Sequence, residues 1–132
     1  MRTFHLEIVT PDGLAFDGEA ESLLVHTTEG DVEILRGHMD YIAAVDVGRA
    51  RVLVDGKARK ASCSGGFLTV LGGEVRLAAV TFEFADKIDV ERAKKAKERA
   101  ESKLTTATDE REIALAKARL ERALTRIKVA GL

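Results

Sequence analysis

Ten of the eleven glycines and the only proline of this 132-residue chain fall within residues 1–86; the remainder holds one glycine, Gly131, near its end. Turn-forming residues therefore crowd one region and strong helix formers fill the other, which places a boundary at residues 85–87. Charge divides at the same point. Residues 1–86 carry 8 Lys/Arg against 14 Asp/Glu, a net of −6, and residues 87–132 carry 13 against 8, a net of +5. A chain of this length suits one compact domain with an appendage. The expected class is α+β: an N-terminal antiparallel β-sandwich or flattened barrel (1–86) followed by a C-terminal α-helical hairpin (87–132).

In the first region, Phe4, Leu6 and Ile8 alternate with His5, Glu7 and Val9, the period-two pattern of a half-buried strand. Pro11-Asp12-Gly13 supplies a turn after it. Asp55-Gly56 and Gly72-Gly73 each join two short runs of strand-forming residues, and both pairs favour the tight turns whose twist matches paired strands. Further strands are expected at 23–27, 32–35 and 42–45. Short strands at regular spacing with no intervening helix predict the sandwich.

In the second region Asp89 is placed to cap a first helix and Thr108 a second, with acidic residues in each first turn. The four residues 105–108 allow only an antiparallel return. Ala93, Ala96, Ala100 and Leu104 share one face of the first helix; Ile113, Ala116, Leu120, Ala123 and Ile127 share one face of the second. A seam this rich in alanine is weak, since each buried methyl contributes only about 0.8 kcal/mol. The hairpin is expected to be marginal, able to dock, detach or extend.

Catalytic chemistry finds no constellation. His5, His26 and His38 fall on separate expected elements without metal-ligand spacing, and Cys63 between Ser62 and Ser64 reads as a buried free thiol rather than a nucleophile. A single cysteine excludes a disulfide framework, and no P-loop motif is present. Net charge of −1 and six aromatic residues argue against a nucleic-acid binder. No apolar run of about 18 residues or more exists to span a membrane. Charge at Arg2 and Glu7 interrupts any leader-like apolar run, so the chain reads as intracellular.

Two basic stripes are more informative. Arg92, Lys95, Arg99 and Lys103 fall at i, i+3, i+7 and i+11, and Arg119, Arg122 and Arg126 at i, i+3 and i+7. Each stripe precedes its apolar seam by one residue, so both should line the groove where the helices meet. Like charges at such spacing cost about 0.2–0.5 kcal/mol per pair. Glu91 with Lys95, Lys94 with Glu98 and Lys117 with Glu121 offer relief at i+4, but Arg122 and Arg126 have no such partner. The stripes are either a solvated face or a site for an external anion: a phosphate chain, an acidic protein loop or nucleic acid. Arginine suits phosphate and carboxylate because its planar fork donates paired hydrogen bonds.

Several segments carry a resemblance. Thr10-Pro11-Asp12-Gly13, Glu29-Gly30-Asp31 before a strand leading to Gly37-His38, Ser64-Gly65-Gly66-Phe67-Leu68-Thr69-Val70, and Ile88-Asp89-Val90-Glu91-Arg92-Ala93 lie in order along the whole chain. Together they resemble the epsilon subunit of bacterial F-type ATP synthases. After Gly37-His38 that family has a residue and then proline, whereas this chain reads Met39-Asp40-Tyr41-Ile42. The resemblance implies a non-catalytic rotor component, peripheral to the cytoplasmic face of the bacterial membrane. Its sandwich would bind the gamma subunit and the c-ring, with Glu29, Gly30, Asp31 and His38 on the rotor-contacting edge. Its extended hairpin would reach acidic loops of the catalytic head and restrain ATP hydrolysis. Its compact hairpin would hold one ATP, unhydrolysed and without a required metal. Glu83, Ile88, Asp89 and Ala93 would lie near the adenine, and Arg92, Arg99, Arg122 and Arg126 would contact the phosphates. A free-standing ATP-binding regulatory module with no rotor role is the alternative.

Overall fold

The computed structural model describes residues 2–131; Met1 and Leu132, the first and last residues of the two expected regions, lie outside the described residues. Eight strands come first: β1 (Phe4–Thr10), β2 (Gly13–Ala20), β3 (Ser22–Thr27), β4 (Gly30–Ile34), β5 (Tyr41–Ala44), β6 (Gly48–Val54), β7 (Lys57–Leu71) and β8 (Glu74–Phe84). A 3-10 turn (Ala85–Lys87) leads into α1 (Val90–Thr106) and α2 (Glu110–Ala130).

The strands hydrogen-bond in the order β2-β1-β8-β7-β6-β3-β4, with β5 paired to β7 off this path. Strand β7 is the spine. Its first half pairs with β6 (Gly48↔Cys63 to Val54↔Lys57) and its second with β5 (Tyr41↔Val70 to Ala44↔Phe67). The change of partner falls at Gly65-Gly66, where both residues take positive φ (66° and 113°). A Cβ on Gly66 would sit 1.9 Å from the carbonyl oxygen of Ala78, so only glycine fits this bend. Where the sequence suggested two separate strands, the chain forms one strand of 15 residues.

The turns behave as their residues require. Asp55 and Gly56 (φ 50° and 75°), like Gly72 and Gly73 (56° and 84°), are both left-handed, as tight hairpin turns demand. Between the layers lie Leu6, Ile8, Leu23, Val25, Ile34, Val52, Leu68 and Leu77, all fully buried. One pairing corrects the antiparallel expectation: β1 runs parallel to β8, from Leu6↔Val75 to Val9↔Ala78. These strands are the first and last of the sandwich, so no tight hairpin fixes their relative direction. Strand β2 has no counterpart in the sequence reading. Its Gly18 and exposed Leu14 blur the alternation, although Phe16 packs edge-on against Phe84 with ring centroids 6.4 Å apart.

In the hairpin, the Asp89 carboxylate accepts from Arg92 N at 3.1 Å, capping α1 as expected. The cap of α2 is Asp109, accepting from Arg111 N at 3.2 Å, and not Thr108. Aspartate is the stronger cap and also brings charge to the helix N-terminus. Of the expected seam, Ala93, Ala100, Ala116 and Ala123 are buried, while Ala96, Leu104, Ile113, Leu120 and Ile127 are half-buried. The three i, i+4 ion pairs expected on the helices do not form; Lys94 instead reaches Glu91 at 4.0 Å. Such exposed pairs are worth too little to hold two long side chains. The last turn of α2 packs on β6 and β7, where Val129 is fully buried. The hairpin is thus folded on itself and docked.

Candidate functional site

Strand alternation creates the first element of the site. Phe82 and Phe84 turn inward, each 7% exposed and packed edge-to-face on the other, which sends the intervening Glu83 to the opposite side. There its Oε1 meets Nε of Arg126, from α2, at 2.6 Å. This ion pair joins sandwich and hairpin. Around it is a cavity of about 340 Å³ whose walls include Glu83, Ile88, Asp89, Arg92, Ala93 and Arg126.

Arg126 also lines a second, larger cavity of about 1010 Å³ between α1 and α2. Lys95, Arg99 and Lys103 stand on the α1 wall, and Arg119 and Arg122 on the α2 wall. The groove expected from the two stripes is therefore present, except that Arg92 turns into the smaller cavity. Chemically, the pair of spaces offers guanidinium forks able to take phosphate oxygens and, beside Ile88 and Ala93, an apolar corner. All eight residues assigned to nucleotide from sequence line one or other of these adjoining spaces.

Sequence reasoning missed Thr10 and Asp12, which also line the smaller cavity. Pro11-Asp12-Gly13 signals only a turn; what carries that turn to residues 81–89 is the parallel β1–β8 pairing, for which no local pattern exists.

The proposed rotor-contact residues lie at opposite ends of edge strand β4. Glu29 and Gly30 form the β3–β4 turn, held by Thr27, whose hydroxyl donates to Gly30 O (2.6 Å) and accepts from Glu29 N (3.1 Å). Asp31 accepts from His26 Nδ1 at 2.8 Å. His38 lies beyond the other end of β4, its ring beside Tyr41 at 5.4 Å. The strand separates the two turns by about 15 Å, at roughly 3.3 Å per residue.

The sequence reading also overlooked an apolar outer face. Leu68 and Val70 face the core, so their β7 neighbours Phe67 and Leu71 face out (58% and 65% exposed), with Ile42 of β5 and Val80 of β8 at 69% and 58%. Met39 is 75% exposed as well. An alternation count along β7 would have found it.

Cys63 is buried, and burial alone pushes its thiol up to about 12, so it stays protonated and unreactive. Among the described residues no cluster of three His, Cys, Asp or Glu is arranged to hold a metal ion. Among the described residues no helix is long and apolar enough to cross a membrane.

Comparison with known proteins agrees with this architecture. The β-sandwich domain of the ATP synthase delta/epsilon chain matches residues 3–85, and the long α-helix domain of the same chain matches residues 86–131. The chain belongs to the ATP synthase delta/epsilon family, in which the epsilon chain is a non-catalytic subunit. It is 41% identical to the ATP synthase epsilon chain of Bacillus velezensis over 99% of both chains. The epsilon chain of Ruminococcus albus is 39% identical over 99% of this chain and 98% of its own. In fold it is similar to a chain of the Euglena gracilis mitochondrial ATP synthase (TM-score 0.82, 24% identity, 100% of this chain and 83% of that one). It is also similar to a chain of the Tetrahymena thermophila mitochondrial ATP synthase central stalk and c-ring (TM-score 0.69, 13% identity, 96% and 95% covered).

Proposed function

We propose that this chain is a central-stalk subunit whose sandwich docks on the rotor and whose hairpin regulates ATP hydrolysis, held compact by one bound ATP. The observation that carries the nucleotide part is the position of Arg126. It touches Glu83 and lines both the small cavity and the helix groove, so one ligand occupying both would tie α1, α2 and the sandwich together. Ile88 and Ala93 would take the adenine, with Glu83 and Asp89 at its edge. Arg92, Arg99, Arg122 and Arg126 would hold the phosphates. The nucleotide would be bound and not cleaved.

Energetics favour such a switch. A ligand at a hundred times its dissociation constant stabilises the form that binds it by about 2.7 kcal/mol. That is comparable with the four buried methyls of the alanine seam, at about 0.8 kcal/mol each. When nucleotide is scarce the hairpin would open, and α2 with its arginines would reach acidic loops of the catalytic head.

The exposed apolar face of Ile42, Phe67, Leu71 and Val80 supports the docking part, because a monomer seldom leaves such a patch to water. We assign it to the gamma subunit and the β4 edge, with Glu29, Gly30, Asp31 and His38, to the c-ring. A subunit in that position would be peripheral to the cytoplasmic face of the membrane.

Calorimetry with ATP tests the nucleotide site. Measurable binding is expected, weakened about tenfold or more in Arg126→Ala, the loss of one charge-assisted contact; absence of binding at millimolar ATP removes the sensor role. Pull-down by gamma separates a rotor subunit from a free-standing regulator, which would bind ATP but not gamma.

A further inference from the structure

Three cations of the two stripes, Lys95, Lys103 and Arg119, have no part in the proposed nucleotide site, yet they line the same groove as Arg99, Arg122 and Arg126. Six cationic side chains there face one carboxylate, Glu98. Among the described residues, no carboxylate lies within 4.0 Å of Lys95, Arg99, Lys103, Arg119 or Arg122; the ion pairs of the hairpin belong to Lys94 and Arg126. Lys95, Arg99 and Lys103 repeat at four-residue intervals, so their row runs about 12 Å along α1 at 1.5 Å per residue. Such repetition costs α1 about 0.2–0.5 kcal/mol for each like pair. A ligand that neutralises the whole row removes that cost.

The rest of the wall narrows the ligand class. It consists of Ala96, Ala100 and Ala116 with the hydroxyl-bearing Ser102 and Thr106, and no aromatic ring is among the lining residues. Stacking of successive bases therefore has no platform, and a nucleic acid would use only its phosphates. Lys103 stands one helical turn past Arg99, toward the hairpin tip.

We propose that the groove is a track for a linear phosphoanhydride chain longer than a triphosphate. Arg99, Arg122 and Arg126 hold its first phosphates, Lys95 flanks them, and Lys103 with Arg119, both nearer the tip, receives those that run on. This deepens the nucleotide reading, from which it takes the position of the first phosphates; no bond of the chain is made or broken. Inorganic polyphosphate and a dinucleoside polyphosphate present the same chemistry.

Calorimetry of the full chain at fixed salt tests it, using tripolyphosphate, medium-chain polyphosphate, diadenosine hexaphosphate and ATP. Medium-chain polyphosphate is expected to bind about tenfold tighter than tripolyphosphate, the equivalent of one added charge-assisted contact. The double variant Lys103→Ala/Arg119→Ala is expected to erase that gain and leave ATP within about twofold, because both side chains are exposed and screening acts over about 8 Å. Lys103→Arg with Arg119→Lys should keep it, and circular dichroism checks that all variants fold. Tight binding of the diadenosine compound assigns a nucleoside-capped chain; tight binding of polyphosphate alone assigns the inorganic one. Equal affinity for short and long chains overturns the proposal. So does a double variant that behaves as wild type, or an oligonucleotide of matched charge that binds as tightly as polyphosphate. Length-dependent binding through Lys103 without ATP binding would keep the track and discard the nucleotide site; ATP binding without length dependence would do the reverse.

Discussion

The sandwich and the hairpin solve the problem of cohesion in different ways. Inside the sandwich, leucine, isoleucine and valine side chains with no exposure interlock between layers, and its core draws on residues 4–84 alone. In the hairpin the buried contacts between helices are four alanines, while the larger Leu104, Ile113, Leu120 and Ile127 keep part of their surface in water. A fully buried large aliphatic contributes about 1.5–3 kcal/mol against about 0.8 for a methyl. The comparison teaches where change is permitted: one region is fixed by packing, the other is held by contacts small enough for a ligand to outweigh.

The largest test of this contrast is Gly66→Ala. Its Cβ would collide with the Ala78 carbonyl, so the sandwich should lose on the order of 3 kcal/mol or fail to fold. Urea denaturation measures the loss; a near-neutral result would mean that the β7 bend does not hold the layers together. Next, Ala123→Gly removes one seam methyl and adds backbone freedom, costing about 2 kcal/mol. Hydrogen exchange should quicken across α1 and α2 and stay unchanged in β1–β8. If the strands quicken too, the two regions are one cooperative unit.

Truncation after residue 86 sharpens the same point. The shortened chain should keep its strand signature and its affinity for gamma, and Cys63, protonated and buried, should still resist thiol reagents. Rapid labelling of Cys63 would show that the hairpin supports the core. The smallest effect belongs to His5. Its ring bridges Glu74 (2.7 Å) and Asp17 (2.6 Å), and these partners, Glu74 foremost, raise it from 6.5 to about 9. Because the folded value is the higher, the stabilisation is complete below pH 6.5 and disappears as pH climbs through 9. Melting temperatures of wild type and His5→Ala should therefore converge above that range. A constant gap across it would assign the difference to packing.

Much of this architecture is legible in the residues. Asp55-Gly56 and Gly72-Gly73 announce their hairpins because only left-handed residues close them, and Asp89 announces α1 because its carboxylate meets a free backbone N–H. Both basic stripes follow from helical periodicity. What depends on distant pairing is not legible: the parallel β1–β8 ladder, the approach of Thr10 and Asp12 to Ile88, and the union of Glu83 with Arg126. Strand β2 escapes because Ala15 and Gly18 interrupt the alternation of Leu14, Phe16 and Ala20. The shift of the second cap from Thr108 to Asp109 is a competition between adjacent residues that a pattern cannot rank.

Val129, wholly enclosed one turn from the chain's end, carries a consequence for motion. Leu24 and Ala50 of the sandwich line the same recess, so any swing of the hairpin must first draw this one side chain into water. That step costs about 1.5–3 kcal/mol. The tail is therefore a latch, and a Val129→Ala chain should spring open more readily while its arginines stay intact.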